Sequence, residues 1–271
     1  MHSELRIPSG QALLATTLAG NGAPVVFLHA GICDRRMWRR QMEAAAAGNK
    51  AIAYDRRGFG ESRGQAEDHS AVADLLHVLD AAADGAPAIL VGCSQGGRIA
   101  LDAALLHPSR VRGLVLIAPT VAGAPAAVYP PGIRLLMDRM ETIEAAGDPD
   151  QINAFKARLF LDGPLSPEGR VQGEIRERFL DMNGIALRAA PAGASRDAVA
   201  AFQRLDEIRV PSMVLWGSHD FPHIQERSRQ VASMLMRGSG HALAGAAHLP
   251  SLEQPEIVSQ RILELIARCA G

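Results

Sequence analysis

The stretch Ala88–Leu106, which reads AILVGCSQGGRIALDAALL, decides the fold. Its first residues form a short apolar run, which predicts a strand buried on both faces, and apolar residues recur at helical spacing after Gly96. Between them lies the pattern G-x-S-x-G, in which small residues let a helix pass close to the preceding strand. The stretch therefore predicts a strand, a strained turn and a helix, with the Ser94 hydroxyl exposed as a nucleophile at the carboxyl end of the strand.

The same kind of short apolar run recurs on both sides of this stretch. Further strands are predicted at Pro24–Ala30, Lys50–Tyr54, Val111–Ala118 and Pro211–Gly217. Helices are predicted at Arg36–Ala47, Ser70–Ala83 and Pro255–Arg268. Alternation of strand and helix predicts an α/β fold, with a mostly parallel sheet that helices cover on both faces. Residues 4–19 are expected to add an antiparallel hairpin that turns at Ser9-Gly10.

Residues 120–206 break this alternation. They are mainly helical in pattern, are punctuated by Pro and Gly, and contain no buried strand. A new strand follows at once, so the segment is interpreted as a helical insertion at a strand end. The prediction is one α/β core, residues 1–119 and 207–271, interrupted by a helical cap at residues 120–206.

Composition restricts the possible functions. The chain has 271 residues, of which 48% are hydrophobic and 21% charged, as in an ordinary folded domain. With 28 Lys and Arg against 29 Asp and Glu, the net charge is -1, which gives no overall attraction to nucleic acid or to an anionic membrane. The three scattered cysteines lack metal-ligand spacing, and the chain shows neither a signal peptide nor a membrane span. These features predict a cytoplasmic protein without a metal site.

A serine nucleophile needs a base and an acid that orients the base. In this architecture they follow the serine in the order acid, then histidine, each in a loop after a later strand. Asp220 follows the strand that ends at Gly217, although it could instead cap the next helix. His248 lies in the last loop before the terminal helix, whereas His219 and His223 are too near Asp220 in sequence to point at it. Asp220 and His248 are therefore the predicted acid and base.

Acyl transfer also needs donors for an oxyanion. One is expected to be the backbone N–H of the residue after the nucleophile, Gln95. The second is expected from the loop after an early strand, where Gly31 is the candidate and Ile32 is the alternative.

Taken together, these blocks resemble the α/β-hydrolase superfamily over nearly the whole chain. The resemblance rests on LHAG (28–31), YDRRGFGES (54–62), GCSQGG (92–97), WGSHD (216–220) and AAHLPSLEQPE (246–256). It implies an eight-stranded, mostly parallel sheet, a cap at residues 120–206, no metal and no organic cofactor. By position it also implies Ser94, Asp220 and His248 as the triad, with Gly31 and Gln95 as oxyanion donors. Ala30 departs from the family, which usually has glycine there.

Within the superfamily, the sequence looks most like serine carboxylesterases and 3-oxoadipate enol-lactonases. Ser94 argues against the haloalkane dehalogenases and epoxide hydrolases, which have an aspartate nucleophile at this position. The predicted function is hydrolysis of a small carboxylic ester through an acyl-enzyme. A lactonase, a cofactor-free haloperoxidase-like enzyme and a non-enzymatic receptor for small molecules are the alternatives.

The substrate is expected to be a small molecule, with no nucleic acid or membrane partner, and a homo-oligomer is left open. Because aromatic residues make up only 4% of the chain, an apolar pocket shaped by aliphatic and Met side chains is predicted. The residues predicted to line it are Ile32, Trp38, Met137, Met140, Phe155 and Phe160. For each of these residues taken singly, packing between cap and core is an equally good interpretation.

Overall fold

One sheet organises the computed structural model, which describes residues 2–270. Its strands are β1 (His2–Ser9), β2 (Ala12–Ala19), β3 (Pro24–Leu28), β4 (Lys50–Tyr54), β5 (Arg63–Gly64), β6 (Ala88–Cys93), β7 (Val111–Ile117), β8 (Ser212–Gly217) and β9 (Gly238–Leu243). Eight strands follow the order β1-β2-β4-β3-β6-β7-β8-β9, and the two-residue β5 pairs with β2. β2 pairs antiparallel with both β1 and β4, and the pairs that follow in this order, from β4 to β9, are parallel. The predicted α/β fold with a mostly parallel sheet is confirmed.

Helices cover both faces of the sheet. They are α1 (Arg39–Ala45), α2 (Ala71–Ala83), α3 (Gln95–Leu106), α4 (Pro131–Ala146), α5 (Pro149–Lys156), α6 (Glu174–Arg188), α7 (Pro222–Met234), α8 (Pro250–Glu253) and α9 (Pro255–Arg268). Since side chains alternate along a strand, Val26 and Leu28 of β3 join the core that contains α2, α3 and α7. Val25 and Phe27 join the opposite core, which contains α1 and α9. This two-sided burial explains why the strands read as continuous apolar runs.

Two local predictions differ from the structure. The N-terminal hairpin pairs Ser9 with Ala12, so its turn is Gly10-Gln11 rather than Ser9-Gly10. Gly10 has φ +51°, a conformation that glycine adopts without strain. The helix predicted from Arg36 begins instead as a 3₁₀ turn, Arg35–Trp38, which continues into α1.

The carboxyl ends of the central strands meet at one edge. Leu28 of β3 pairs with Gly92 of β6, Cys93 of β6 with Ile117 of β7, and Ile117 with Leu215 of β8. Loops that follow these strands are thereby brought together, which is the place where open α/β sheets bind ligands.

The segment 120–206 leaves the sheet after β7. It contains α4, α5, a π-helical turn at Ala157–Asp162, α6 and part of a 3₁₀ helix at Ala201–Glu207. Phe179 and Met182 of α6 pack into the core that contains α1 and α9. Within residues 2–270, no helix is long and apolar enough to cross a membrane.

Candidate active site

Ser94 occupies a strained turn between β6 and α3. Its φ of 52° and ψ of -113° lie outside the regions that L-residues prefer, and such strain persists only where the surroundings impose it. At Ser94, the conformation is imposed by the close packing around two glycines. A Cβ on Gly92 would lie 2.4 Å from the Gly96 carbonyl oxygen, and one on Gly96 would lie 2.1 Å from the Leu28 carbonyl oxygen. Only glycine at both positions lets α3 pass this close to β3 and β6.

The structure brings Asp220 and His248 together in buried surroundings. Asp220 Oδ2 lies 2.8 Å from His248 Nδ1, and Asp220 Oδ1 accepts a 2.7 Å hydrogen bond from the Phe221 backbone N–H. The His248 backbone N–H donates to the Phe160 carbonyl at 3.2 Å. Because a carboxylate only accepts, Nδ1 carries the proton and Nε2 is left as the basic nitrogen.

Ser94 and His248 line the same cavity but are not hydrogen-bonded to each other. The cavity measures about 430 Å³ and lies at the carboxyl edge of the sheet. Among the hydrogen bonds of residues 2–270, none joins the Ser94 hydroxyl to the His248 ring. Hydrogen bonds of this kind are often long in a protein without substrate and tighten when the reactants bind.

The loop after β3 presents free backbone donors beside Ser94. The N–H groups of Gly31, Ile32 and Gln95 have no acceptor among the described residues, and all three residues line the cavity. A Cβ on Gly31 would lie 2.7 Å from the Gln95 side-chain oxygen, so the loop and the start of α3 are in close contact. Gln95 and both candidates for the second donor, Gly31 and Ile32, therefore keep an N–H group available at the cavity, and their role as oxyanion donors stays a prediction.

His29 fixes the shape of this loop. Its Nε2 accepts the Arg56 backbone N–H at 3.0 Å, so the ring proton must be on Nδ1, which donates to the Ala30 carbonyl at 2.7 Å. Burial is the main cause that lowers the pKa of His29 well below its usual value, and the positive charge of Arg56 lowers it further. The ring therefore stays neutral and holds one tautomer.

Arg56 connects that loop to Gln95. Its guanidinium donates to the Gln95 side-chain oxygen at 3.0 Å and to the His29 carbonyl at 3.3 Å. Burial lowers the pKa of Arg56 to about 10, so it remains charged at neutral pH. Asp55 pairs with Arg35 and Arg57 pairs with Asp74, whereas Arg56 has no carboxylate partner among residues 2–270.

The structure places two of the six residues predicted to line the pocket at this cavity. Ile32 and Phe160 line the cavity, and the Phe160 ring lies 5.2 Å from the His248 ring. Trp38 is instead buried under the sheet, 5.6 Å from the Phe27 ring. Met137, Met140 and Phe155 do not line the cavity, and they pack together with Phe160 in an apolar cluster beside it.

Sequence reasoning missed the charged lining. Lys156, His223 and Arg227 all line the cavity, together with the strained residue Ala118, which has φ 46°. His223 and Arg227 stand four residues apart on α7, one turn after the candidate acid Asp220. The four-residue spacing of His223 and Arg227 was the signal available in the sequence. It indicates a shared position at the cavity only when α7 is known to begin at the sheet edge.

Metal ligation finds no support in the part of the chain that the structure describes. No group of three or more His, Cys, Asp or Glu side chains there could hold a metal ion.

Comparison with known proteins adds to this geometry. A model of the alpha/beta hydrolase family matches residues 25–261. A Bacillus subtilis protein of the AB hydrolase superfamily is 31% identical over 74% of this chain and 75% of its own length. A carboxylesterase from Bacillus subtilis has a structure with a TM-score of 0.76, at 21% identity over 100% of this chain and 93% of that one. The enol-lactonase from Burkholderia xenovorans has a TM-score of 0.73, at 20% identity over 98% of this chain and 100% of that one.

Proposed function

The chain belongs to the alpha/beta hydrolase family, and we propose that it is a serine hydrolase that cleaves a small carboxylic ester through an acyl-enzyme. The observation that carries the proposal is the buried His248–Asp220 contact of 2.8 Å, in a cavity that also receives the strained Ser94. A base oriented by a carboxylate, next to a serine on such a turn, is the arrangement that activates a hydroxyl.

In the acylation step, His248 Nε2 removes the proton from the Ser94 hydroxyl as the oxygen attacks the ester carbonyl carbon. Asp220 holds the ring and stabilises the positive charge that forms on it. Backbone N–H groups of Gln95 and of Gly31 or Ile32 hold the oxyanion of the tetrahedral intermediate. Collapse of that intermediate breaks the bond to the alcohol, which leaves with the proton from His248.

Deacylation repeats these steps with water. His248 removes a proton from the water, whose oxygen attacks the acyl carbonyl and releases the acid and free Ser94. A lactone reacts in the same way, except that its alcohol remains attached to the acid.

The segment 120–206 serves in this proposal as the cap over the site. Two observations support that role, since Lys156 and Phe160 of the segment line the cavity and the Phe160 carbonyl accepts the His248 backbone N–H. The boundaries proposed for the core remain residues 1–119 and 207–271.

Labelling with a fluorophosphonate probe and hydrolysis of p-nitrophenyl acetate test the proposal directly. The wild type is expected to be labelled and active, and Ser94→Ala to lose both properties. Ser233→Ala is the matched control, because Ser233 is exposed on α7 and does not line the cavity. Equal labelling and equal rates in Ser94→Ala and wild type contradict the proposal, and binding of ligands without turnover supports a receptor instead.

A further inference from the structure

The cavity beside Ser94 has an excess of positive charge. Lys156 and Arg227 line it, and no aspartate or glutamate of residues 2–270 does so. The whole chain has a net charge of only -1, so this excess is local. A cavity with charges of one sign and apolar walls attracts and retains ligands of the opposite charge.

Arg227 has no carboxylate partner of its own. Its Nη2 donates to the Pro125 carbonyl at 2.6 Å, and the guanidinium lies 5.4 Å from the centre of the Phe202 ring. The buried Nε has no acceptor, and no described carboxylate lies within ion-pair distance of the side chain. Burial lowers the pKa of Arg227 without any nearby carboxylate to offset it. Arg227 is only partly buried, and a partly desolvated guanidinium without a carboxylate partner favours the binding of an anion.

His223 is a second polar side chain at the cavity with an unpaired hydrogen-bonding atom among residues 2–270. It stands one helical turn before Arg227 on α7, and its buried Nδ1 has no partner among the described residues. The Tyr129 ring lies 5.2 Å away, edge to face, and burial lowers the pKa of His223. The ring is therefore neutral at pH 7, and it can donate a hydrogen bond without adding charge.

Lys156 is only weakly engaged. Its ammonium lies 3.5 Å from the Glu144 carboxylate, which is half exposed to solvent. Such pairs contribute about 0–1 kcal/mol, so a ligand can compete for the lysine. Because Glu144 already offsets part of the charge of Lys156, the uncompensated charge is close to that of Arg227 alone. One carboxylate balances it better than a doubly charged phosphate.

We propose that the natural ester carries a carboxylate, which Arg227 and Lys156 bind while Ser94 attacks the ester carbonyl. The inference rests on the proposed ester hydrolysis and specifies its substrate class. Charge-assisted hydrogen bonds to such a group are expected to raise kcat/KM by about 10- to 100-fold over an uncharged analogue.

Matched ester pairs test this directly. Monomethyl esters of succinic, glutaric, adipic and pimelic acid place the carboxylate on the acyl side, and acetyl esters of ω-hydroxy acids place it on the alcohol side. Each acid is compared with the analogue in which an amide of the same shape replaces the carboxylate. Hydrolysis is followed by titration of the released acid, and the ratio of kcat/KM for acid over amide is the readout.

The wild-type ratio is expected to exceed about 10 in one of the two series. Arg227→Met should bring the ratio close to 1, Lys156→Met should lower it by less, and Arg227→Lys should retain part of it. A ratio cancels any general loss of activity in a variant. Arg229→Met is the matched control, because Arg229 lies on the same helix, is more than half exposed and pairs with Glu226 outside the cavity.

Two results overturn the proposal. One is equal kcat/KM for acid and amide throughout both series in an active wild type. The other is a preference for the acid that persists in the double variant Arg227→Met, Lys156→Met. Failure of ester hydrolysis itself differs from both of these, since it removes turnover of acids and amides alike.

Discussion

The stretch 88–106 and the segment 120–206 both supply residues to the candidate active site, but they do so by different means. In the first, contacts of the backbone itself fix Ser94, because Gly92 and Gly96 leave no room for a Cβ atom. In the second, the site depends on which faces of several helices turn toward the sheet. Phe160 faces the cavity, whereas Met137 and Phe155, which pack in the same apolar cluster as Phe160, do not line it.

The difference shows what a short motif can encode. Steric exclusion at a turn acts over a few residues and is written in the local sequence. The rotation of a helix in an insertion depends on its packing against residues far away in the chain. The turn around Ser94 should therefore tolerate few substitutions, and much of the segment 120–206 should tolerate more.

The largest expected effect is the fall in kcat of Asp220→Asn, a variant of the proposed triad. The asparagine oxygen can still accept the Phe221 N–H, but its amide would donate to His248 Nδ1 and so place the ring proton on Nε2. A ring in that tautomer cannot remove the Ser94 proton, and kcat is expected to fall by about 10⁴-fold, as for the same change in the triad of a serine protease. Steady-state kinetics on p-nitrophenyl acetate measure the effect.

Asp206→Asn is the control for this change. Asp206 is exposed and lies outside the cavity, so its variant should keep the wild-type rate. A folded Asp220→Asn variant with kcat within tenfold of wild type would show that Asp220 does not orient the base.

The strands of the sheet, and the loops at its carboxyl edge, could be predicted well from the sequence, for a physical reason. Strands buried on both faces read as apolar runs, and the loop that carries Asp220 follows such a run in β8. The loop that carries His248 follows β9, an edge strand that is largely exposed. The order of the strands then places these loops at one edge. The family match confirms the superfamily that the motifs indicated, whereas the catalytic roles of the three residues remain predictions.

The pocket could not be predicted in the same way. Trp38 lies close in sequence to the LHAG motif, yet the 3₁₀ turn at Arg35–Trp38 directs its ring under the sheet. Lys156 and Arg227 read as ordinary surface charges of amphipathic helices. Only the three-dimensional packing shows that both face one cavity, because the two residues lie 71 positions apart in the sequence.

A smaller effect is expected on stability. Replacing one glycine by alanine in each region compares the two regions directly. Gly96→Ala places a Cβ 2.1 Å from the Leu28 carbonyl oxygen, and overpacking of this kind is expected to lower the free energy of unfolding by about 3 kcal/mol. Gly132 lies in the first turn of α4, in the segment 120–206, and no atom lies within 4 Å of the Cβ that alanine would add.

Gly132→Ala should therefore raise the free energy of unfolding by about 0.5–1 kcal/mol, because alanine has less conformational freedom in the unfolded chain. Urea denaturation of both variants and the wild type measures the two changes. If Gly96→Ala unfolds at the wild-type urea concentration, the steric account of the nucleophile turn is wrong.

The smallest effect separates two residues within the segment 120–206. Phe160→Leu removes a ring that packs 5.2 Å from His248 and 5.5 Å from Phe221, and the looser imidazole is expected to lower kcat/KM about tenfold. Met137→Leu keeps the side-chain volume at a residue that packs in the same cluster but does not line the cavity, so kcat/KM should stay within about twofold and stability within about 1.5 kcal/mol of wild type. Ester kinetics and urea denaturation of the two variants give the comparison. A larger kinetic loss in Met137→Leu than in Phe160→Leu would mean that the apolar cluster, and not the ring beside His248, shapes the substrate site.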